Sequence, residues 1–228
     1  MAMPDKWLVL GGWCLTPNIL KSVFGETSVY IDINELVPEV VCHASIAENW
    51  QDIFVARLFP LCACDIQGIA GWSTGAIIAS TLARKLNQKK MVLLSATASF
   101  CRRDGFKFGQ RQQTVHAMRE GLQVSSNTVL EDFIRRCEIP QDANVMFTKN
   151  TEVLDAGLCF LEQCNVIDDI KKNDVPTMVF HGNRDVIVPV NAGKYTSDLL
   201  KARFFELPGG HAFFMQHCAA IASMLSSF

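Results

Sequence analysis

Long apolar runs are missing from this 228-residue chain. Stretches such as Trp7 to Leu10 and Met91 to Leu94 fall far short of the roughly 20 residues that cross a bilayer, so no transmembrane helix is expected. Charge of one sign is also scarce. Charged residues make up 19% of the chain against 49% hydrophobic, and the formal net charge is −2. That balance belongs to compact globular proteins, and neither a nucleic-acid nor a membrane partner is expected. The nine cysteines form no even, regularly spaced set, so they read as reduced, buried thiols of a cytoplasmic protein. Cys62 and Cys64, with Cys42 and His43, suggest half of a metal site, but no second Cys-x-x-Cys or His-x-x-His pair completes it. No metal and no cofactor are expected. The first six residues hold one basic residue and run straight into a short apolar stretch ending in Gly11-Gly12, unlike a secretion signal. Internal repeats and low-complexity segments are absent.

What is present is an alternation of short apolar or β-branched runs with longer helical patterns, the order that yields parallel strands joined by helices. Strands are predicted at Trp7 to Leu10, Val29 to Ile33, Ile66 to Ala70, Met91 to Ser95, Thr177 to His181 and Phe204 to Leu207. About six strands give a mostly parallel sheet covered by helices on both faces. Ser45 and Glu48 read as a capping box for a helix carrying Trp50, Ile53, Phe54 and Leu58. A second helix starts after Ser73 and runs to Leu86, with Asn87 as its end signal. From about Phe100 to Lys171 the strand pattern stops, and Val115 to Leu122, Thr128 to Cys137 and Glu152 to Cys164 read as amphipathic helices. The expected organisation is an α/β core from residues 1–99 and 172–228, interrupted by a helical cap at 100–171. Ala219 to Phe228 forms a closing helix.

Gly71-Trp72-Ser73-Thr74-Gly75 matches the pattern G-x-S-x-G, with a strand in front and a helix behind. In such an elbow the small flanking residues let a nucleophilic serine sit on a sharp strand-to-helix turn. A serine hydroxyl is a weak nucleophile at neutral pH and needs a base, which a third group must orient. Asp185 follows the strand at 177–181, and His211 follows the strand at 204–207, so both loops should open on the Ser73 side. Ser73, His211 and Asp185 are therefore the candidate nucleophile, base and acid, with His217 as the second choice of base. His181 reads as a structural neighbour. Asp168, Asp169 and Asp174 precede their strand and fall at the wrong end. Two backbone N–H groups must receive the developing oxyanion; Thr74, after the nucleophile, and Trp13, in the loop Gly11 to Cys14, are the candidates.

With these residues in place the chain resembles the α/β-hydrolase superfamily, and within it the pimeloyl-[acyl-carrier protein] methyl ester esterases of biotin synthesis. The likeness rests on Gly71 to Ser73, Gly12-Trp13, Arg103-Asp104, Phe133, Gly157-Leu158 with Leu161, and the Asp185 and His211 loops. It implies a serine carboxylesterase working through an acyl-enzyme, with Trp13, Phe133, Cys137 and Phe213 contacting an acyl ester substrate. It also implies an acidic acyl-carrier protein as the substrate's carrier. Arg102, Arg103, Lys107, Arg111 and Arg119 oppose only Asp104 between positions 101 and 119, a local excess of four positive charges. Such a patch suits an acidic partner, and equally a solvated helix face. The chain departs from the family pattern at Thr128 and Asp132, where the type member is basic; here the basic pair is Arg135-Arg136. The two leading antiparallel strands common in the superfamily are expected to be missing. The molecule is expected to be a monomer or weak oligomer. A lyase of the menaquinone-pathway type on the same fold, another small-acyl esterase or thioesterase, and a non-catalytic ligand receptor stay open as alternatives.

Overall fold

A computed structural model describes residues 6–62, 66–141, 143 and 145–228; Cys64 lies outside them. The chain opens with β1 (Lys6–Leu10), α1 (Lys21–Phe24), β2 (Val29–Ile31) and α2 (Ile33–Val40). A hairpin, β3 (Val41–Cys42) and β4 (Ser45–Ile46), leads to α3 (Trp50–Leu58), β5 (Ile66–Trp72), α4 (Thr74–Leu82) and β6 (Met91–Leu94). Between β6 and the next strand come α5 (Gln112–Arg136), α6 (Thr151–Gln163) and α7 (Ile167–Ile170). The chain closes with β7 (Thr177–Gly182), α8 (Val190–Leu200), β8 (Arg203–Leu207) and α9 (Phe214–Leu225).

Six strands form one sheet in the order β2-β1-β5-β6-β7-β8, with every neighbouring pair parallel. The central strands are apolar at nearly every position because both faces are buried. Helix α4 packs on β1, β5 and β6 and touches α3 and α7, α8 packs on β7 and β8, and α1 pairs with α9. Parallel pairing matters for the site because it brings all the carboxyl ends to one edge: Leu10 pairs with Gly71, Trp72 with Leu94, Leu94 with Phe180, and Gly182 with Leu207. Strand order reverses between β1 and β5, which opens a crevice at their carboxyl ends.

Several expected elements take a different form. The second strand stops at Ile31, and Asp32 caps α2 by accepting from Asn34 N–H at 3.0 Å. Ser45 belongs to β4 and caps nothing; α3 starts after Asn49 without a side-chain cap. The hairpin turn wins because His43 and Ala44 both take positive φ, as a two-residue turn between antiparallel strands requires. Helix α4 ends at Leu82, and Asn87 terminates the following turns at φ 55°. The helices expected at 115–122 and 128–137 join as α5, which is kinked at Ser125 (φ −158°, ψ 94°). Ser125 Oγ pairs with Thr128 Oγ1 at 2.9 Å where the second half begins. The last helix starts at Phe214, five residues earlier than its sequence pattern indicates. Among the described residues no helix is long and apolar enough to cross a membrane.

Candidate active site

Ser73 ends β5 and starts α4 at φ 56° and ψ −118°, a conformation that costs a non-glycine residue about 1–3 kcal/mol. The glycines on either side make the turn possible by close approach. A Cβ on Gly71 would lie 2.3 Å from the Gly75 carbonyl oxygen, and one on Gly75 would lie 2.3 Å from Gly11 O and 2.4 Å from Leu10 O. Ser73 N–H donates to Leu94 O at 3.0 Å, which ties the turn to the neighbouring strand.

His211 Nε2 stands 2.8 Å from Ser73 Oγ, and His211 Nδ1 stands 2.7 Å from Asp185 Oδ2. The other Asp185 oxygen accepts from Ile187 N–H at 2.9 Å and Val188 N–H at 2.8 Å. The carboxylate accepts a hydrogen bond from Nδ1–H, which leaves Nε2 as the lone-pair nitrogen facing the serine. Burial alone would raise the Asp185 carboxyl, but the charge and hydrogen bond of His211, with His181 behind it, bring it below the usual carboxylate range. His211 is fully buried, and Ser73 and Asp185 are each 6% exposed. The main chain of His211 is fixed as firmly as its ring: Trp72 Nε1–H and Ser95 Oγ–H both donate to its carbonyl, at 3.0 and 3.1 Å. Neither contact was foreseen from the sequence, where Ser95 reads only as the end of an apolar strand.

The loop after β1 passes beside the serine. A Cβ on Gly12 would lie 3.4 Å from Ser73 Cβ, and the backbone N–H groups of Trp13 and Thr74 donate to no acceptor among the described residues. Thr74 Oγ1 is buried without a hydrogen-bond partner among the same residues. The Trp13 ring is buried, meets Phe133 edge to face at 4.8 Å, and donates through Nε1–H to Leu154 O at 2.9 Å. Phe133, in the second half of α5, also lies 6.5 Å from the His211 ring. Cys137 closes that helix; its carbonyl accepts Ala212 N–H at 2.9 Å, and burial, then nearby Cys14 and Asp185, push its thiol well up. Phe213 is buried two residues past His211, against Phe214. A small cavity of about 30 Å³ lies beside Phe133, bounded by Phe100, Val115, Met118 and Ile187 and by the polar Gln110, Thr114, Asp132 and Arg136.

The segment between β6 and β7 is bonded to each loop of the site. Gln110 Nε2 donates to Val186 O and Ile187 O beside Asp185. Cys137 holds the His211 loop, Leu154 holds Trp13, and residues 146 and 148 exchange backbone bonds with residues 16 and 14. Three of the remaining histidines are engaged elsewhere. His217 donates to Pro208 O at 2.7 Å, His116 pairs with Glu120, and His43 lies against Cys42. His181 donates through Nε2–H to Val188 O at 2.8 Å and lies 3.5 Å from Asp185 Oδ2. Of the basic residues, Arg102, Lys107 and Arg111 are exposed, whereas Arg103 turns inward to the Glu162 carbonyl and Arg119 binds Asp155 and Glu162. No metal-ligating cluster occurs among the described residues.

No family model matches the chain. Among curated proteins it is similar to the pimeloyl-[acyl-carrier protein] methyl ester esterase of Nitrosospira multiformis, 26% identical over 66% of this chain. The match spans 60% of that relative's length. The esterase of the same name from Aromatoleum aromaticum is 24% identical, with 97% of each chain covered. Among solved structures, the enol-lactonase of Burkholderia xenovorans LB400 superposes with a TM-score of 0.76 at 12% identity, covering 98% of this chain and 90% of that one. The chain has the α/β-hydrolase fold and is similar in sequence to the pimeloyl-[acyl-carrier protein] methyl ester esterases.

Proposed function

We propose that the protein is a serine carboxylesterase that hydrolyses the methyl ester of an acyl chain presented on an acidic carrier protein. The observation that carries the hydrolase reading is the continuous hydrogen-bonded chain Ser73, His211 and Asp185 behind a serine held at positive φ. Ser73 Oγ attacks the ester carbonyl while its proton passes to His211 Nε2, and the carbonyl electron pair moves onto oxygen, facing the N–H groups of Trp13 and Thr74. Collapse breaks the bond to methoxide, which takes the proton from Nε2 and leaves as methanol. Water then repeats the sequence on the acyl-enzyme, releasing the acid. Residues 100–171 act as a cap on the core formed by 1–99 and 172–228. Trp13, Phe133, Cys137 and Phe213 are the proposed apolar surround of the acyl chain. Similarity to the named esterases supports the methyl ester and the carrier, and Arg102, Lys107 and Arg111, with Arg103 behind them, supply charge for an acidic partner.

The test is to incubate the protein and its Ser73→Ala variant with pimeloyl-carrier-protein methyl ester and with a short p-nitrophenyl ester, following methyl loss by mass spectrometry. Loss from the carrier substrate that disappears in the variant supports the whole reading. Cleavage of the p-nitrophenyl ester alone keeps the esterase and removes the carrier. Activity toward neither, with no labelling of Ser73 by an organophosphonate, overturns both.

A further inference from the structure

Asn34, in the first turn of α2, lies behind the loop that carries Trp13 and is 6% exposed. Its Oδ1 accepts Cys14 N–H at 2.9 Å. Its Nδ2 donates to Asp32 Oδ1 at 2.7 Å and, at 3.4 Å each, to Gly12 O and Leu15 O. These partners leave no ambiguity about the amide's orientation: the atom facing a carboxylate and two carbonyls must be the nitrogen, and the atom facing an N–H must be the oxygen. One side chain therefore brackets Trp13 on both sides. Cys14, the residue it bonds through N–H, is itself held at φ 61°, a conformation that a side-chain anchor helps to maintain.

The carbonyl of Gly12 and the N–H of Trp13 belong to a single peptide group. A donor on that carbonyl fixes the direction of the N–H and, by polarising the amide, strengthens it as a donor. The Gly12 end of this peptide abuts Ser73. We propose that Asn34 is a positioning residue that aims and polarises the Trp13 N–H as an oxyanion donor, with Asp32 as the anion that holds its amide in place. This rests on the reading of the site as a serine hydrolase with Trp13 N–H in the oxyanion hole. The signal in the sequence is slight, since an Asx residue two positions after Asp32 reads as an ordinary helix start.

The experiment uses a short p-nitrophenyl ester and an aliphatic trifluoromethyl ketone labelled with carbon-13 at its carbonyl. Ser73 Oγ adds to that carbonyl, the π electron pair moves to oxygen, the hydroxyl proton passes to His211, and the hemiketal oxygen titrates where the oxyanion forms. Asn34→Ala is expected to lower kcat by roughly 10- to 100-fold with KM changed by less than about threefold. It should also raise the pKa of the hemiketal oxygen, read by carbon-13 NMR, by about one unit or more, the same loss expressed as proton affinity. Asp32→Asn keeps a capping acceptor for α2 and should move kcat and the hemiketal pKa in the same direction by less. If Asn34→Ala does not fold, Asp32→Asn carries the test by itself. Variants that melt earlier but keep the wild-type kcat and hemiketal pKa overturn the positioning role. A wild-type protein that forms no hemiketal at Ser73 overturns the hydrolase reading instead.

Discussion

The indole N–H of Trp13 donates to the carbonyl of Leu154 at 2.9 Å, so a residue whose backbone faces the site has its side chain anchored in α6. One turn further along α6, Gly157 makes room for that ring: a Cβ there would lie 2.4 Å from Trp13 Cδ1 and 2.8 Å from Nε1. Gly157→Ala is therefore expected to displace the indole and break its bond to Leu154. The cost should be about 1–3 kcal/mol of stability, as in overpacked cores. Ester hydrolysis should fall as well, because the displaced ring drags its own backbone. Urea unfolding together with kcat measures both, and an unchanged kcat would separate the ring from the chemistry.

Asp185→Asn keeps an oxygen for the N–H groups of Ile187 and Val188 but presents an amide to His211 Nδ1. An amide N–H in that place favours the imidazole tautomer with its proton toward Ser73, where it cannot act as a base. Activity should drop by about 10⁴-fold while the melting temperature stays near wild type. Rates and thermal melts on the same preparation check this pair of outcomes.

His181 is expected to make the stability of the protein depend on pH, apart from the proposed chemistry. Burial draws its pKa below the ordinary histidine range, opposed by Asp185, the Val188 carbonyl and Glu206 and assisted by His211. Below about pH 6.5 the unfolded chain takes up a proton that the folded chain still refuses, so stability falls as the pH drops through this window. The Asp185 carboxyl, depressed in the fold, supplies stability that is lost only lower, starting from about pH 4. His181→Gln retains a donor for Val188 O and should flatten the fall in melting temperature as the pH drops below about 6.5. An equally steep fall in the variant would assign the window to another group.

Arg119 joins α5 to α6, binding Asp155 through two nitrogens at 2.8 and 3.0 Å and Glu162 at 3.0 Å. All three side chains are less than a third exposed. Arg119→Met leaves two carboxylates close together with no cation between them, at a cost of about 1–3 kcal/mol. Arg135→Ala, which removes an exposed pairing with Asp132, should cost about 0.5 kcal/mol or less. Denaturant midpoints of the two variants, measured side by side, test the contrast.

The four inner strands of the sheet were legible from apolar runs, because a strand buried on both faces has little freedom to be anything but apolar, and the edge strands β2 and β8 from short runs of partly buried apolar residues. The proximity of Ser73, Asp185 and His211 was legible for a related reason: parallel strands deliver their following loops to one edge, so chain order predicts which side chains meet. The hairpin at 41–46 was not, since its turn residues His43 and Ala44 lack the glycine or asparagine that usually announces positive φ. The early start of α9 was hidden because Phe214 and Met215 lie directly behind the His211 loop and read as its continuation. Ser95 and Asn34 were missed for a deeper reason. Each acts through bonds to backbone atoms far away in sequence, and no spacing rule relates position 34 to position 12 or position 95 to position 211.

Two donors on the carbonyl of His211, a carboxylate on Nδ1, and aromatic rings at 5.2 Å (Trp72) and 6.5 Å (Phe133) favour a single orientation of the imidazole. In the proposed reaction, a base held in this way serves the entering and departing oxygens from the same spot. Traffic through the reaction is then borne by the substrate: the alcohol must be carried to a stationary Nε2 as the tetrahedral centre collapses, and alcohols too bulky to reach that point will remain esterified.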